Sequence, residues 1–307
     1  MNFLSTTLSI LLLCNFTITY STQENEDSLA ATISHLSKKW QLDGLEQIVY
    51  SWLFDNYIGV AYSSLYQQQV VLKICQSDND ESQALKLLQG EGIVKLLDHD
   101  DKYKALLLEY ITPQGEFADF VTKHDDNWII DQFIELFQKI HAIPKIVDSY
   151  DFQHVTDHFS IIKTNTFTKI PAHLIEKAQA IYDELIASND PAYLLHFDLH
   201  FNNILKIEDT FIAIDPWAAV GPLESEVAVF LVSPADFILA QDDPQAFLHN
   251  RLDRLSEVLH LNKELLKKCG FMRVMLIACL CELRNKDSDW IAERLRVAEL
   301  IDQLDSK

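Results

Sequence analysis

The chain has 307 residues, 48% of them hydrophobic and 23% charged, with 7 Gly and 8 Pro; that suffices for a sizeable core in one large or two smaller domains. Asp and Glu number 46 against 25 Lys and Arg, a formal net charge of -21. This balance argues against nucleic-acid binding, which needs Lys and Arg on phosphates, and fits either a well-hydrated surface or a cationic small ligand; repeats, coiled coils and low-complexity tracts are absent.

The N-terminal stretch "MNFLSTTLSILLLCNFTITYSTQ" has an apolar core from Leu8 to Ile18. Its length fits the h-region of an export signal and is too short to span a bilayer. The first Lys or Arg is Lys38, so the basic flank of a signal is missing. A weak export signal, a membrane-associated tail and an over-long start all fit, and residues 1–25 are set apart from the fold. The five cysteines (Cys14, Cys75, Cys269, Cys279, Cys281) form no C-x-x-C pair. They read as free thiols in a reducing compartment. A cytoplasmic location is expected, with the apolar tail leaving export or membrane association open.

Leu29, Ile33, Leu36 and Trp40 fall at helical spacing in "DSLAATISHLSKKW", which predicts an amphipathic helix. The runs "QIVYSWLF", "YIGVAYSSLY" and "QQVVLKIC" follow, separated by Asn, Asp and Gln as in hairpins. "SDNDESQALKLLQG" reads as a helix with Asp or Ser caps and a closing Gly90. "GIVKLLDHD" and "KALLLEYI" read as two more strands. Residues of roughly 45–110 are therefore expected to form an antiparallel sheet with one helix after the third strand.

"TPQG" breaks this pattern, and the rest is mostly helical: "WIIDQFIELFQKIHAI", "AHLIEKAQAIYDELIA", "DPQAFLHNRLDRLSEVLHL", "NKELLKKCGFMRVMLIACLCELRN" and "SDWIAERLRVAELIDQL". Set into it are "LLHFDLHFNNIL" and "KIEDTFIAIDP", read as a loop with two small strands. The expected fold is α+β and two-lobed: an apolar tail at 1–25, a small antiparallel β-rich lobe at 26–110, a hinge at 111–115 and a helical lobe at 116–307. Ligands favour clefts between such units.

"LLHFDLHFNNIL" places His196, Asp198, His200, Asn202 and Asn203 in an apolar run, where polar groups are costly unless partnered. Asp198 on this loop suits a general base that accepts a hydroxyl proton. Asn203, five residues on, can ligate Mg²⁺ through its side-chain oxygen, and Asp215 at the end of "FIAID" supplies a carboxylate. Taken alone, Lys73 in "VVLKI" reads as a solvent-facing residue of an edge strand, and Glu81 as a first-turn acid favoured by the helix dipole. Together they can pair and hold the Lys head toward a nucleotide's phosphates. Lys, Glu, Asp, Asn and Asp in this order form a parts list for phosphoryl transfer.

"LLHFDLHFNNIL" followed by "IAIDP" resembles the H-G-D-L-H-x-x-N-I-L segment of the aminoglycoside phosphotransferase family, in particular its streptomycin kinase and hydroxyurea phosphotransferase branch. "ESQALKLLQGEGIVKLLDHDDKYKALLLEYITPQG", "FIELFQKIHAIP" and "IDPWAAVGPLESEVAVFLVSP" carry the same resemblance, which covers roughly residues 40–300. It implies a protein-kinase-like fold, ATP or another nucleoside triphosphate, Mg²⁺, and a small hydroxylated substrate. Carried over, Asp198 in the catalytic loop 194–205 is the base. Asn203 and Asp215, the latter in the strand end 211–216, are metal ligands, and Lys73 contacts phosphate from its pair with Glu81. Glu109 to Ile111 form the hinge that meets adenine, and His196 braces the loop.

The chain departs from the family pattern at several places. Phe197 and Asn202 stand where glycines are usual, and Trp217 and Pro222 where polar residues are common. Glu226 stands where an acid is expected. No glycine-rich phosphate loop precedes Lys73, the nearest candidate being "YIGVAYSSLYQQ". H-R-D and A-P-E are absent, which argues against a protein substrate, and no protein partner is evident. Glu224, Glu226, Asp236 and Asp242 are candidates for binding a cationic substrate such as an aminoglycoside, or they are caps and solvated faces. Sugars and amino alcohols remain open as substrates. Two other readings stand beside the kinase: a pseudokinase that binds nucleotide without turnover, and a metal-dependent hydrolase with His196, Asp198 and His200 on zinc.

Overall fold

The computed structural model describes residues 23–48, 56–75, 81–88, 92–142, 152–188 and 191–305. Helix α1 (Gln23–Lys39) leads into a five-stranded antiparallel sheet of β1 (Leu42–Ile48), β2 (Tyr57–Ser63), β3 (Gln68–Ile74), β4 (Leu96–Asp100) and β5 (Ala105–Glu109) in the order β1-β2-β3-β5-β4. Helix α2 (Glu81–Leu88) lies between β3 and β4. The caps expected before it and Gly90 after it lie outside the described residues, as does most of the apolar tail.

Strand β1 begins ahead of the apolar run that suggested it. It is an edge strand with five of seven residues exposed and an irregular register between Asp43 and Glu46. It therefore lacks the alternation that marks a half-buried strand.

Strand β3 is central rather than an edge, flanked by β2 and β5. Its alternate side chains serve two cores. Val70, Leu72 and Ile74 pack with Leu36, Trp40, Tyr57 and Leu107 beneath α1. Cys75 on the opposite side packs with Ala84, Leu85 and Leu88 of α2. Lys73 takes this second face and is 3% exposed, so its ammonium has to find partners within the protein.

The segment 110–116 leads to α3 (Asp126–Ile140), α4 (Val155–Phe159), α5 (Ile161–Thr164) and α6 (Ala172–Ala187). Two short ribbons follow: β6 (Tyr193–Leu195) pairs with β9 (Ala219–Gly221), and β7 (Ile204–Ile207) with β8 (Thr210–Ala213). Helices α7 (Leu223–Leu231), α8 (Ala235–Leu239), α9 (Pro244–Val258), α10 (Lys263–Leu283) and α11 (Ser288–Asp302) complete the chain. α10 is the buried spine, apolar on nearly all sides. The fold is α+β with a β-rich lobe and a helical lobe.

The lobes meet through main chain. The β7–β8 ribbon bridges to Ile93 at Ala213, and the Val94 N–H donates to Ala213 O at 2.9 Å. Gln114 and Lys206 are joined by the Gln114 N–H on Lys206 O at 2.8 Å. Among the described residues no helix is long and apolar enough to cross a membrane. Cys75, Cys269, Cys279 and Cys281 are buried and form no disulfide among the described residues; Cys14 lies outside them.

Candidate functional site

The two ribbons hold the polar segments from both ends. β6 and β9 close one side through Leu195 opposite Ala219, and β7 and β8 close the other through Ile204 opposite Ala213. Between them run 196–203 and 214–218. The Ile214 N–H donates to Asn203 O at 2.9 Å, and the Trp217 N–H to His196 O at 2.9 Å. The strand register thus brings Asn203 and Asp215 together.

Asp198 sits at the centre. Its main-chain oxygen and Oδ2 accept from Asn203 Nδ2 at 3.0 and 3.1 Å. Both partners of that amide are acceptors, so its NH₂ faces Asp198 and its Oδ1 faces away. Oδ1 of Asp198 is ion-paired with Arg273 of α10. His200 Nε2 lies 3.6 Å from Oδ2.

Lys73 completes the site from the other lobe. Its Nζ is 2.6 Å from Glu81 Oε2 and pairs with Asp215 Oδ1. Burial opposes its charge, but the two carboxylates outweigh burial and hold its pKa above that of an ordinary lysine. Burial likewise works against the Asp215 charge, and Lys73 outweighs it, keeping that carboxyl below its usual range. Lys73, Glu81 and Asp215 are thus joined side chain to side chain, as are Asp198 and Asn203, and the main-chain bond from Ile214 to Asn203 brings the two groups together.

Asn203 Oδ1 and the Asp215 carboxylate are hard oxygen donors of the kind Mg²⁺ takes beside phosphate oxygens and water. The residues fit that ion. They do not fit zinc on the H-x-D-x-H triplet. His196 Nδ1 accepts the Asp198 N–H at 3.3 Å, which makes Nε2 the protonated nitrogen, 2.9 Å from Ile214 O. Both ring nitrogens are spent, and burial keeps the ring neutral. His200 Nδ1 accepts the Asn202 N–H. Among the described residues no group of three His, Cys, Asp or Glu is arranged to hold a metal.

Glu226 is not available to a substrate. It is fully buried, and its two oxygens accept the His196 N–H at 3.0 Å and the Phe197 N–H at 2.6 Å, with His141 Nε2 at 3.2 Å. It anchors the start of the 196–203 segment. Burial works against its charge, and the His141 contact lowers its pKa nonetheless. Glu224 Oε1 accepts the Asn262 N–H ahead of α10. Asp236 lies in the first turn of α8, within electrostatic range of Arg294. Neither is brought to Asp198 by any contact among the described residues.

Phe197 has φ +59°, in the left-handed region that favours glycine. Its ring is fully buried, 5.3 Å from His158 and 5.6 Å from Trp217, so its bulk faces the core. The stretch "YIGVAYSSLYQQ" forms β2, a turn at 64–67 and the start of β3. Ile58 lies opposite Lys73 and Ser63 opposite Gln68, so that turn is at the far end of the strands from Lys73. Ile48 of β1 pairs with Ile58, at the Lys73 end of the strands, and residues 49–55 lie outside the described residues. At the lobe junction, the Glu109 N–H donates to Lys95 O and the Tyr110 N–H to Gln69 O. The Ile111 N–H has no partner among the described residues.

Arg273 and His141 are neighbours of this cluster that the motif does not announce. Arg273 did carry a signal: it is a lone charge in "CGFMRVMLIACLC", as costly there as the polar cluster at 196–203.

Residues 66–288 match the model of the family described as aminoglycoside/hydroxyurea antibiotic resistance kinase. The chain is 27% identical over 204 residues to a streptomycin 6-kinase of Streptomyces glaucescens, and 26% over 185 residues to one of Streptomyces griseus. These matches take in 64% and 58% of this chain and 65% and 59% of the relatives, so the chain spans less than two thirds of their length. Among solved structures, aminoglycoside phosphotransferase APH(4)-Ia superposes with a TM-score of 0.62 at 13% identity, covering 89% of this chain and 98% of that one. Choline kinase LicA from Streptococcus pneumoniae superposes at 0.60 and 15%, covering 91% and 100%. A mutant of APH(4)-Ia (0.60, 13%, covering 87% and 96%) is a ternary complex with ADP and hygromycin B.

Proposed function

We propose that this chain, which belongs to the aminoglycoside/hydroxyurea antibiotic resistance kinase family, transfers the γ-phosphate of ATP or another nucleoside triphosphate to a hydroxyl group of a small molecule. The observation that carries this reading is the contact of Lys73 with Asp215, which joins the lobes at the point where Asp198 and Asn203 also converge. Lys73, held by Glu81, supplies the cation for the phosphates. Asp198 orients the acceptor hydroxyl and takes its proton. Asn203 and Asp215 would hold Mg²⁺, which would supply positive charge to offset that of the phosphates. The Ile111 N–H at the lobe junction would meet a base edge of the nucleotide. His196 and Glu226 brace the loop.

The acceptor is proposed to be an aminoglycoside or a comparable polyhydroxylated compound, because the two curated relatives are named for streptomycin. Any selection for positive charge has to come from acids other than Glu226, which is spent on main-chain amides.

The test is ADP release by the purified full chain with Mg-ATP and a panel of aminoglycosides, sugars and amino alcohols. One compound should stimulate turnover. Asp198→Asn should fold, bind nucleotide and lose transfer by roughly three orders of magnitude or more. Nucleotide binding with no stimulation by any compound would favour the pseudokinase. No nucleotide binding would refute the assignment of this cleft.

A further inference from the structure

We infer that Arg273, from the buried face of α10, is the positioning residue that aims the Asp198 carboxylate at the acceptor hydroxyl. The inference rests on the kinase reading above and adds a residue 75 positions along the chain from the catalytic loop.

Arg273 is 5% exposed and makes a fork onto two consecutive residues. Nη1 donates to Phe197 O at 3.0 Å, and Nη2 donates to Asp198 Oδ1. One guanidinium thus fixes the loop's main chain and the carboxylate it carries. Its plane is set in turn by two rings, with its central carbon 5.4 Å from the centroids of both Phe197 and Trp217. The fork meets the loop where it is most strained. The Phe197 N–H is held by Glu226 and its carbonyl by Arg273. Both peptide units around the left-handed residue are therefore clamped.

The consequence falls on Asp198. Oδ1 is held by Arg273 and Oδ2 by Asn203 Nδ2. A carboxylate fixed at both oxygens cannot rotate, so the direction in which Oδ2 can accept a further proton is set, with His200 Nε2 3.6 Å from the same oxygen. In a loose phosphoryl-transfer transition state the base has little proton transfer to drive, and aim counts for most. A misplacement of about 1 Å costs roughly a hundredfold in rate. Lysine cannot substitute, because a single ammonium does not reach two acceptors in a planar fork.

The experiment compares wild type, Asp198→Asn, Arg273→Lys, Arg273→Ala and the double variant Asp198→Asn/Arg273→Ala as full chains. It measures kcat, KM for ATP, nucleotide affinity and thermal stability. Arg273→Lys keeps charge and most of the volume; it should fold and bind nucleotide like wild type, with kcat down roughly a hundredfold and KM for ATP nearly unchanged. Free guanidinium at non-denaturing concentration should restore part of the rate of Arg273→Ala. The double variant should be no slower than Asp198→Asn alone, because both changes remove one unit. Near-normal kcat in Arg273→Lys would overturn the inference, and this variant decides the matter if Arg273→Ala fails to fold. An equal, independent loss from Arg273→Ala in the Asp198→Asn background would overturn it too. Wild type without transfer, or Asp198→Asn with full transfer, would sink the kinase reading and this inference with it.

Discussion

Lys73 arrives at the site as one cation between two carboxylates, while Asp198 arrives as one carboxylate between a guanidinium, an amide and an imidazole. The first is a point charge on a flexible stem, held by Glu81 from its own lobe and by Asp215 from the other. The second is fixed by directional bonds, and its loop is tied down through main-chain amides. On the proposed kinase reading the difference matches two tasks. A nucleotide has to enter and leave past the cation, and an ammonium exchanges partners without a fixed geometry. An acceptor hydroxyl has to be aimed, and forks and backbone tethers do that.

Among changes that leave Asp198 in place, the largest effect should come from removing the cation. Lys73→Met leaves Glu81 and Asp215 facing each other with nothing between them and takes away an ion pair between the lobes. We expect kcat/KM to fall roughly 10³-fold, about 4 kcal/mol of transition-state stabilisation. Steady-state kinetics on ATP check it. A loss under tenfold would mean that the Asp198 half of the site works without the other lobe's charge.

Next is the tether of the other half. In Glu226→Gln one acceptor becomes an NH₂ group facing a main-chain N–H in a fully buried place. Unmatched buried donors cost about 3 kcal/mol. Denaturant unfolding should show that loss, with kcat reduced and nucleotide affinity kept. Full stability would mean that the loop is not hung on this carboxylate.

The two halves were also unequally legible in the sequence. Glu81 is eight residues from Lys73 and Asn203 five from Asp198, so strand, helix and loop signals suffice to pair them. Lys73 itself read as an edge residue, because a central strand and an edge strand share the same alternation until the sheet order is known. The alternating H-x-D-x-H suggested shared metal ligands. The hydrogen bonds that spend both nitrogens of His196 come from Asp198 N–H and from Ile214, eighteen residues on, and spacing cannot show that. Glu226 was read as facing solvent or a substrate, because a first-turn acid and a buried anchor look alike until the packing of α7 is seen.

Phe197→Gly probes the strain between these tethers. Glycine relieves a left-handed φ that costs about 1–2 kcal/mol. It also removes a fully buried ring, and emptying a Phe site costs about 3–5 kcal/mol. The net expectation is a loss of about 2–3 kcal/mol in chemical unfolding, plus reduced kcat, since the guanidinium of Arg273 loses a ring it packs on. A stabilised variant would show that the strain, not the burial, dominates at this position.

His158 offers the smallest effect and tests the aromatic wall behind the same guanidinium. Its ring lies 5.3 Å from Phe197 and 5.0 Å from Trp217, and its Nε2 is buried without a hydrogen bond among the described residues. Burial, and after it the Arg273 charge, push its pKa from 6.5 down to about 4. An unfolded chain takes this proton near 6.5 and the folded chain only near 4. Between those values the unfolded state binds more protons, so stability falls as pH falls. From pH 7 to pH 5 this residue should account for about 2 kcal/mol of lost stability. Buried His196 and partly buried His200 shift in the same direction and steepen the fall. His158→Phe fits an aromatic, largely enclosed place, leaves no unmatched nitrogen, and should flatten the curve by its own share. Unfolding measured at both pH values checks it. An unchanged slope would mean that His158 already has a proton or a partner in the folded protein, and that the Asp198 half of the site is less dry than the half built on Lys73.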